Sequence, residues 1–161
     1  MQVKDFPLCW PEGYERTAAA DRAVGRFRSA FKSAYNALFD EAKLLHEGDR
    51  EFAISTNVPL DAEGMPVVAV AKKQRIADPG VAVYVWRGGR PYGIACDTYL
   101  DVASNMRALA ATIAALRTIA RHGTARLQAQ SMIGFCRQIE APAEVSVPRL
   151  AAWAQQSEAQ P

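Results

Sequence analysis

Two strand-like runs, Val81–Arg87 and residues 91–96, flank the pair Gly88-Gly89, and this arrangement limits the fold more than any other feature of the chain. The first run is filled with valine and aromatic residues, which fit a pleated surface. Adjacent glycines supply the backbone freedom that a tight hairpin turn needs. The chain is therefore expected to build an antiparallel sheet around this hairpin. Alternation places Val81, Val83 and Val85 on one face and Ala82, Tyr84 and Trp86 on the other. One face must meet helices. The other needs its own cover, and a second copy of the chain is the cover expected, giving a homodimer or larger homo-oligomer.

The elements around the hairpin follow from periodicity. Val24, Phe27, Phe31, Ala34, Leu38, Ala42 and Leu45 recur at spacings of three and four. They predict a long helix over 18–47, with Thr17 as N-cap and Gly48 as its stop. Residues 51–58 alternate and end before Pro59, which predicts a strand, and 67–71 predict a second short one. Val102, Met106, Leu109, Ile113, Leu116 and Ala120 predict a second long helix over 97–121, closed by Gly123. Short helices are expected at 125–133 and 149–156. The fold class expected is α+β: a small, mostly antiparallel sheet of three to four strands packed against two long helices. Residues 1–17, with Pro7, Pro11 and Gly13, form an arm folded back on the body. Residues 18–141 form a single domain, and 142–161 a tail.

A chain of 161 residues can bury a core of its own without disulfide or metal. Its three cysteines, Cys9, Cys96 and Cys136, are widely spaced, and so are His46 and His122. That pattern signals neither a zinc site nor a redox dithiol, and no cofactor is expected. Free thiols fit a reducing compartment, and residues 1–6 lack the apolar core of a signal peptide, so a cytoplasmic location is expected. The net charge of +2 is too small for nucleic-acid binding by bulk charge, so any such binding must come from local clusters.

Three kinds of chemistry are open. Asp78 precedes one strand and Asp97 ends the next, as the carboxylates of a small Mg²⁺-dependent nuclease would. The lysine such a site needs is missing near residues 95–99, so a degenerate nuclease-like fold is the form this alternative takes. The simpler reading is that Asp78 opens a turn and Asp97 caps a helix. Basic clusters give the second option: Arg22, Arg26, Arg28 and Lys32, with Arg16 just before them, and Lys72, Lys73 and Arg75. If two clusters share a face, they could follow a DNA backbone. The third option is a protein-binding module that docks on or inhibits a host or phage complex, with Trp10, Tyr84 and Trp86 as its aromatic contacts. The chain is thus expected to act by binding, DNA first and a protein second, without a membrane partner.

Several runs carry a resemblance. They are Ile54-Ser55-Thr56-Asn57-Val58-Pro59-Leu60, Asp78-Pro79-Gly80-Val81-Ala82-Val83-Tyr84, Ile94-Ala95-Cys96-Asp97, and Asn105-Met106-Arg107-Ala108-Leu109 with Thr112-Ile113-Ala114-Ala115-Leu116-Arg117. Over about residues 7–140 the chain resembles a group of phage, prophage and mobile-element proteins in which this domain often precedes a J domain. The resemblance implies an accessory protein of such elements. No His-Pro-Asp tripeptide, which a J domain requires, occurs in the sequence, so an Hsp70-recruiting role is not implied.

Overall fold

A computed structural model describes residues 4–27, 29–45, 52–73, 76–87, 90–123 and 137–138. Its elements are α1 (Phe31–Leu45), β1 (Ala53–Thr56), α2 (Val68–Lys73), β2 (Val81–Arg87), β3 (Arg90–Cys96), α3 (Val102–His122) and β4 (Arg137–Gln138). The class is α+β, as expected. All strand pairs are antiparallel in the order β1-β2-β3-β4, with β4 contributing only two residues beside β3.

Both long helices lie on one face of the sheet. Ala34, Leu38 and Ala42 of α1 meet Met106, Leu109 and Ile113 of α3, and both sets meet Ile54, Val81, Val83, Val85 and Ile94. Arg117 of α3 donates to Glu41 of α1 at 2.7 Å beside this core.

The opposite face is covered by the chain itself. Residues 4–17 run across it, and Cys9 packs with Ala53, Ala82 and Tyr84, with Leu8 and Trp86 alongside. Every residue of β1 is consequently buried on either face. The arm is held by polar bonds as well. Ser55 Oγ donates to Lys4 O at 2.6 Å and accepts from Cys9 N at 2.8 Å. Thr56 N donates to Asp5 O at 2.9 Å, which occupies part of the outer edge of β1. The arm thus supplies the cover for which a second copy was invoked. Tyr84, expected as an aromatic contact for a protein partner, is 2 % exposed, and its hydroxyl donates to Cys9 O at 2.8 Å.

Three elements differ from the sequence reading. The first helix begins at Phe31 rather than near residue 18. Residues 22–25 are held against the segment before α3 instead. Ala23 N donates to Thr98 O at 2.8 Å, and Leu100 N donates to Ala23 O at 3.0 Å. Gly25 sits so close to Ser104 that a Cβ there would collide with its hydroxyl. Those contacts occupy backbone groups that a helix would have used, and tertiary packing overrides local propensity. Val24 and Phe27 are exposed as a result.

Residues 68–73 form α2, not a strand. Asp61 N to Met65 O and Val67 N to Pro59 O, both 2.8 Å, close a loop that directs the chain onto α1. A short apolar run such as residues 67–71 fits either state, and here the loop decides. Finally, α3 begins at Val102, five residues later than expected. Its N-cap is Asp101, whose side chain accepts from Ser104 N at 2.8 Å, so Asp97 is not the cap. Gly123 closes the helix through its N–H to Ile119 O, as expected.

The turn at Gly88-Gly89, the helices expected at 125–133 and 149–156, and the tail lie outside the described residues.

Candidate functional site

Antiparallel register brings three polar residues of distant sequence to one end of the sheet. Thr56, the last residue of β1, pairs with Val81, the first of β2, and Val81 pairs with Cys96, the last of β3. Asn57, Asp78 and Asp97 flank these three positions. Asp78 opens a turn, with its Oδ1 accepting from Gly80 N at 3.2 Å. Asn57 Nδ2 donates to Asp78 Oδ2 at 3.3 Å, and Asn57 Oδ1 accepts from Leu8 N of the arm at 3.0 Å.

Two arginines close on this end. Arg16 Nε donates to Asp97 Oδ2 at 2.8 Å, and Arg16 Nη2 pairs with Asp78 Oδ1. Arg22 Nη2 lies 3.5 Å from Asp97 Oδ2 and 3.6 Å from Asp78 Oδ1. Both guanidinium groups therefore address the same two carboxylate oxygens. Thr17 N donates to the Asp97 carboxylate at 3.2 Å. The inner members are buried, with side-chain exposure of 9 % for Arg22 and 4 % for Asp97. Arg16 lies at the rim with its guanidinium carbon 4.1 Å from the centre of the Trp10 ring. Trp10 itself donates to Tyr14 O at 3.0 Å.

Below the cluster, fully buried Asn105 of α3 donates to Pro79 O at 2.9 Å and Tyr99 O at 3.0 Å, and accepts from Tyr99 N at 2.9 Å. It fixes the loop after Asp78 to the loop after Asp97. The arm packs closely on that loop at Gly80, where a Cβ would stand 2.9 Å from the end of the Leu8 side chain and 3.2 Å from the Trp10 ring.

Two carboxylates and two guanidinium groups sum to zero charge. Asp78 and Asp97 do converge, as a nuclease requires, but each is already committed to an arginine, and a cation would have to displace Arg16. No group of three metal-ligating side chains exists among the described residues. The cluster can tie the arm to the sheet; its donor set does not suit Mg²⁺, which favours carboxylates open to water and phosphate.

The basic residues part company. Arg22 is internal and engaged with acids, so it is withdrawn from the surface proposed for it. Arg26 and Lys32 are exposed. Lys72 and Lys73 end α2, which packs against α1. Arg28, Arg75 and the side chains of Lys72 and Lys73 lie outside the described residues. Of the aromatic contacts, Trp10 and Trp86 are half-buried and Tyr84 is buried. The sequence places Arg16 only next to a basic cluster and gives Asn57 and Asn105 no role. The signal for the last two was present, since each sits in one of the motif-like runs. No helix among the described residues is long and apolar enough to cross a membrane.

No protein-family model, curated protein or solved structure matches this chain.

Proposed function

We propose that the protein acts by binding rather than catalysis, as an accessory protein of phage or mobile-element type, with DNA as its first target. The observation that carries this reading is the packing of α2 on α1. Exposed Arg26 and Lys32 precede and open α1, and Lys72 and Lys73 end α2. Lys32 and the pair Lys72-Lys73, far apart in sequence, thus belong to neighbouring helices, with Arg26 in the segment leading into the first, as a surface that follows phosphates requires. The commitment of Asp78 and Asp97 to arginines supports binding over hydrolysis.

A gel shift with single-stranded, duplex and branched DNA at two salt concentrations tests it. The expected result is binding that weakens steeply with salt and falls further in Arg26→Glu/Lys32→Glu and in Lys72→Glu/Lys73→Glu. No binding to any of the three DNAs sinks the reading. Mg²⁺-dependent cleavage lost in Asp97→Ala would restore the nuclease alternative instead.

Docking on a host or phage protein is the second reading. Val24, 78 % exposed, and Phe27 stand beside Arg26 and give that surface an apolar component that DNA does not need.

A further inference from the structure

Asp78 and Asp97 are held unequally by their two arginines. Arg16 makes the close contacts to both acids, while Arg22 addresses the same two oxygens only at 3.5 and 3.6 Å. Its Nε is buried with no hydrogen-bond partner. A buried guanidinium held at such long distances, with one nitrogen unbonded, is costly. The arrangement has a purpose if Arg16 sometimes leaves. Arg22 can then close on both oxygens, and Asp97, though buried, is not left uncompensated.

The backbone is divided to allow this. Arg16 belongs to the arm, and its stacking partner Trp10 lies on the arm too, so that contact travels with it. Arg22 is next to Ala23, which is bonded on both sides to the segment before α3. Between the two arginines, residues 18–21 are exposed and form a turn closed by Asp21 N to Ala18 O at 2.9 Å.

We propose that residues 4–17 are a strap that opens from the sheet as a unit, hinged at residues 18–21, with Arg22 taking over both carboxylates when Arg16 departs. Opening is a minor, locally unfolded state of the native protein. It bares the outer edge of β1 and the face formed by Ala53, Ala82 and Tyr84. The proposal is independent of what the protein binds.

Cys9 reports on the strap directly, because the closed strap buries its thiol. The test is alkylation of the full chain by a small maleimide under native conditions, followed by mass spectrometry of the Cys9 peptide, with each variant first checked by circular dichroism. Arg16→Ala weakens only the closed state and is expected to raise the Cys9 rate severalfold. Arg22→Ala weakens the open state more, because its contacts in the closed state are long, and is expected to lower the rate. Arg22→Lys keeps the charge and should label near the wild-type rate. If the alanine variant does not fold, Arg22→Gln replaces it with the same expectation. Cluster members that merely support the fold would raise the rate in both variants, and that result overturns the proposal. So does an unchanged rate in Arg16→Ala.

Discussion

Asn105 Nδ2 lies 2.9 Å from the carbonyl oxygen of Pro79, so a side chain of α3 anchors the turn that carries Asp78. The same amide reaches Tyr99 O at 3.0 Å, and its oxygen accepts from Tyr99 N at 2.9 Å. Replacing Asn105 by alanine strands three backbone groups, Pro79 O in a buried setting and Tyr99 N and O in a partly buried one. Each such loss costs on the order of 1–3 kcal/mol, so Asn105→Ala is expected to destabilise the fold by about 3 kcal/mol. A urea-unfolding midpoint equal to that of the wild type would show that the bonds carry no such weight.

At Gly25 the segment before α1 packs directly against α3. A Cβ there would collide with Ser104 Oγ and stand 2.5 Å from Ser104 Cβ. Overpacking of this kind costs roughly 1–3 kcal/mol, which is the expected loss for Gly25→Ala. Ser104→Ala is not expected to rescue it, because the Cβ contact remains. Thermal melts of the two single variants and the double variant decide this, and full rescue would count against the close approach.

Two tyrosines tie stability to alkaline pH. Burial, with the Asp5 charge second, pushes the Tyr35 phenol from its ordinary value of 10.0 up to about 12. Burial likewise raises Tyr84, with Cys9 nearby as the second cause. The unfolded chain then loses protons before the folded one does. Stability is full below about pH 10 and falls as pH rises from about 10 through 12. Ultraviolet titration of phenolate should show a late-ionising class that shrinks in Tyr35→Phe. Simultaneous ionisation of all tyrosines near pH 10 would contradict the burial.

Tyr84→Phe should remove a bond from the arm and little else. The hydroxyl donates to Cys9 O at 2.8 Å, and its ring stays packed among Cys9, Ala53 and Ala82. The expected loss is about 1 kcal/mol, together with faster Cys9 alkylation. Loss of stability without any change at Cys9 would mean that the bond does not hold the arm.

The hairpin was legible because its signals are local. Val81–Arg87 alternates cleanly and so divides into two faces, but which face meets the helices was not legible: Val83 does, and Tyr84 meets the arm. The core stripe of α3 was legible for the same reason. The start of α1 was not, because Ala23 bonds to Thr98 and Leu100, some 75 residues away in the chain, and no local pattern announces that. The nature of α2 was hidden by its shortness. Asp78 and Asp97 stood out in the sequence as acids at strand ends, and register explains why they meet. What they meet was invisible: Arg16 comes from the arm across a sequence separation of 62 and 81 residues.

The central claim is that Asp97 serves to hold the arm to the sheet through Arg16. A double-mutant cycle with Arg16→Ala and Asp97→Asn, read by chemical denaturation, measures this most directly. Charged partners in contact, one buried and one at the rim, are expected to couple by about 1 kcal/mol or more. The account predicts a favourable coupling of that order, with the double variant less unstable than the two singles summed. Strict additivity would contradict it.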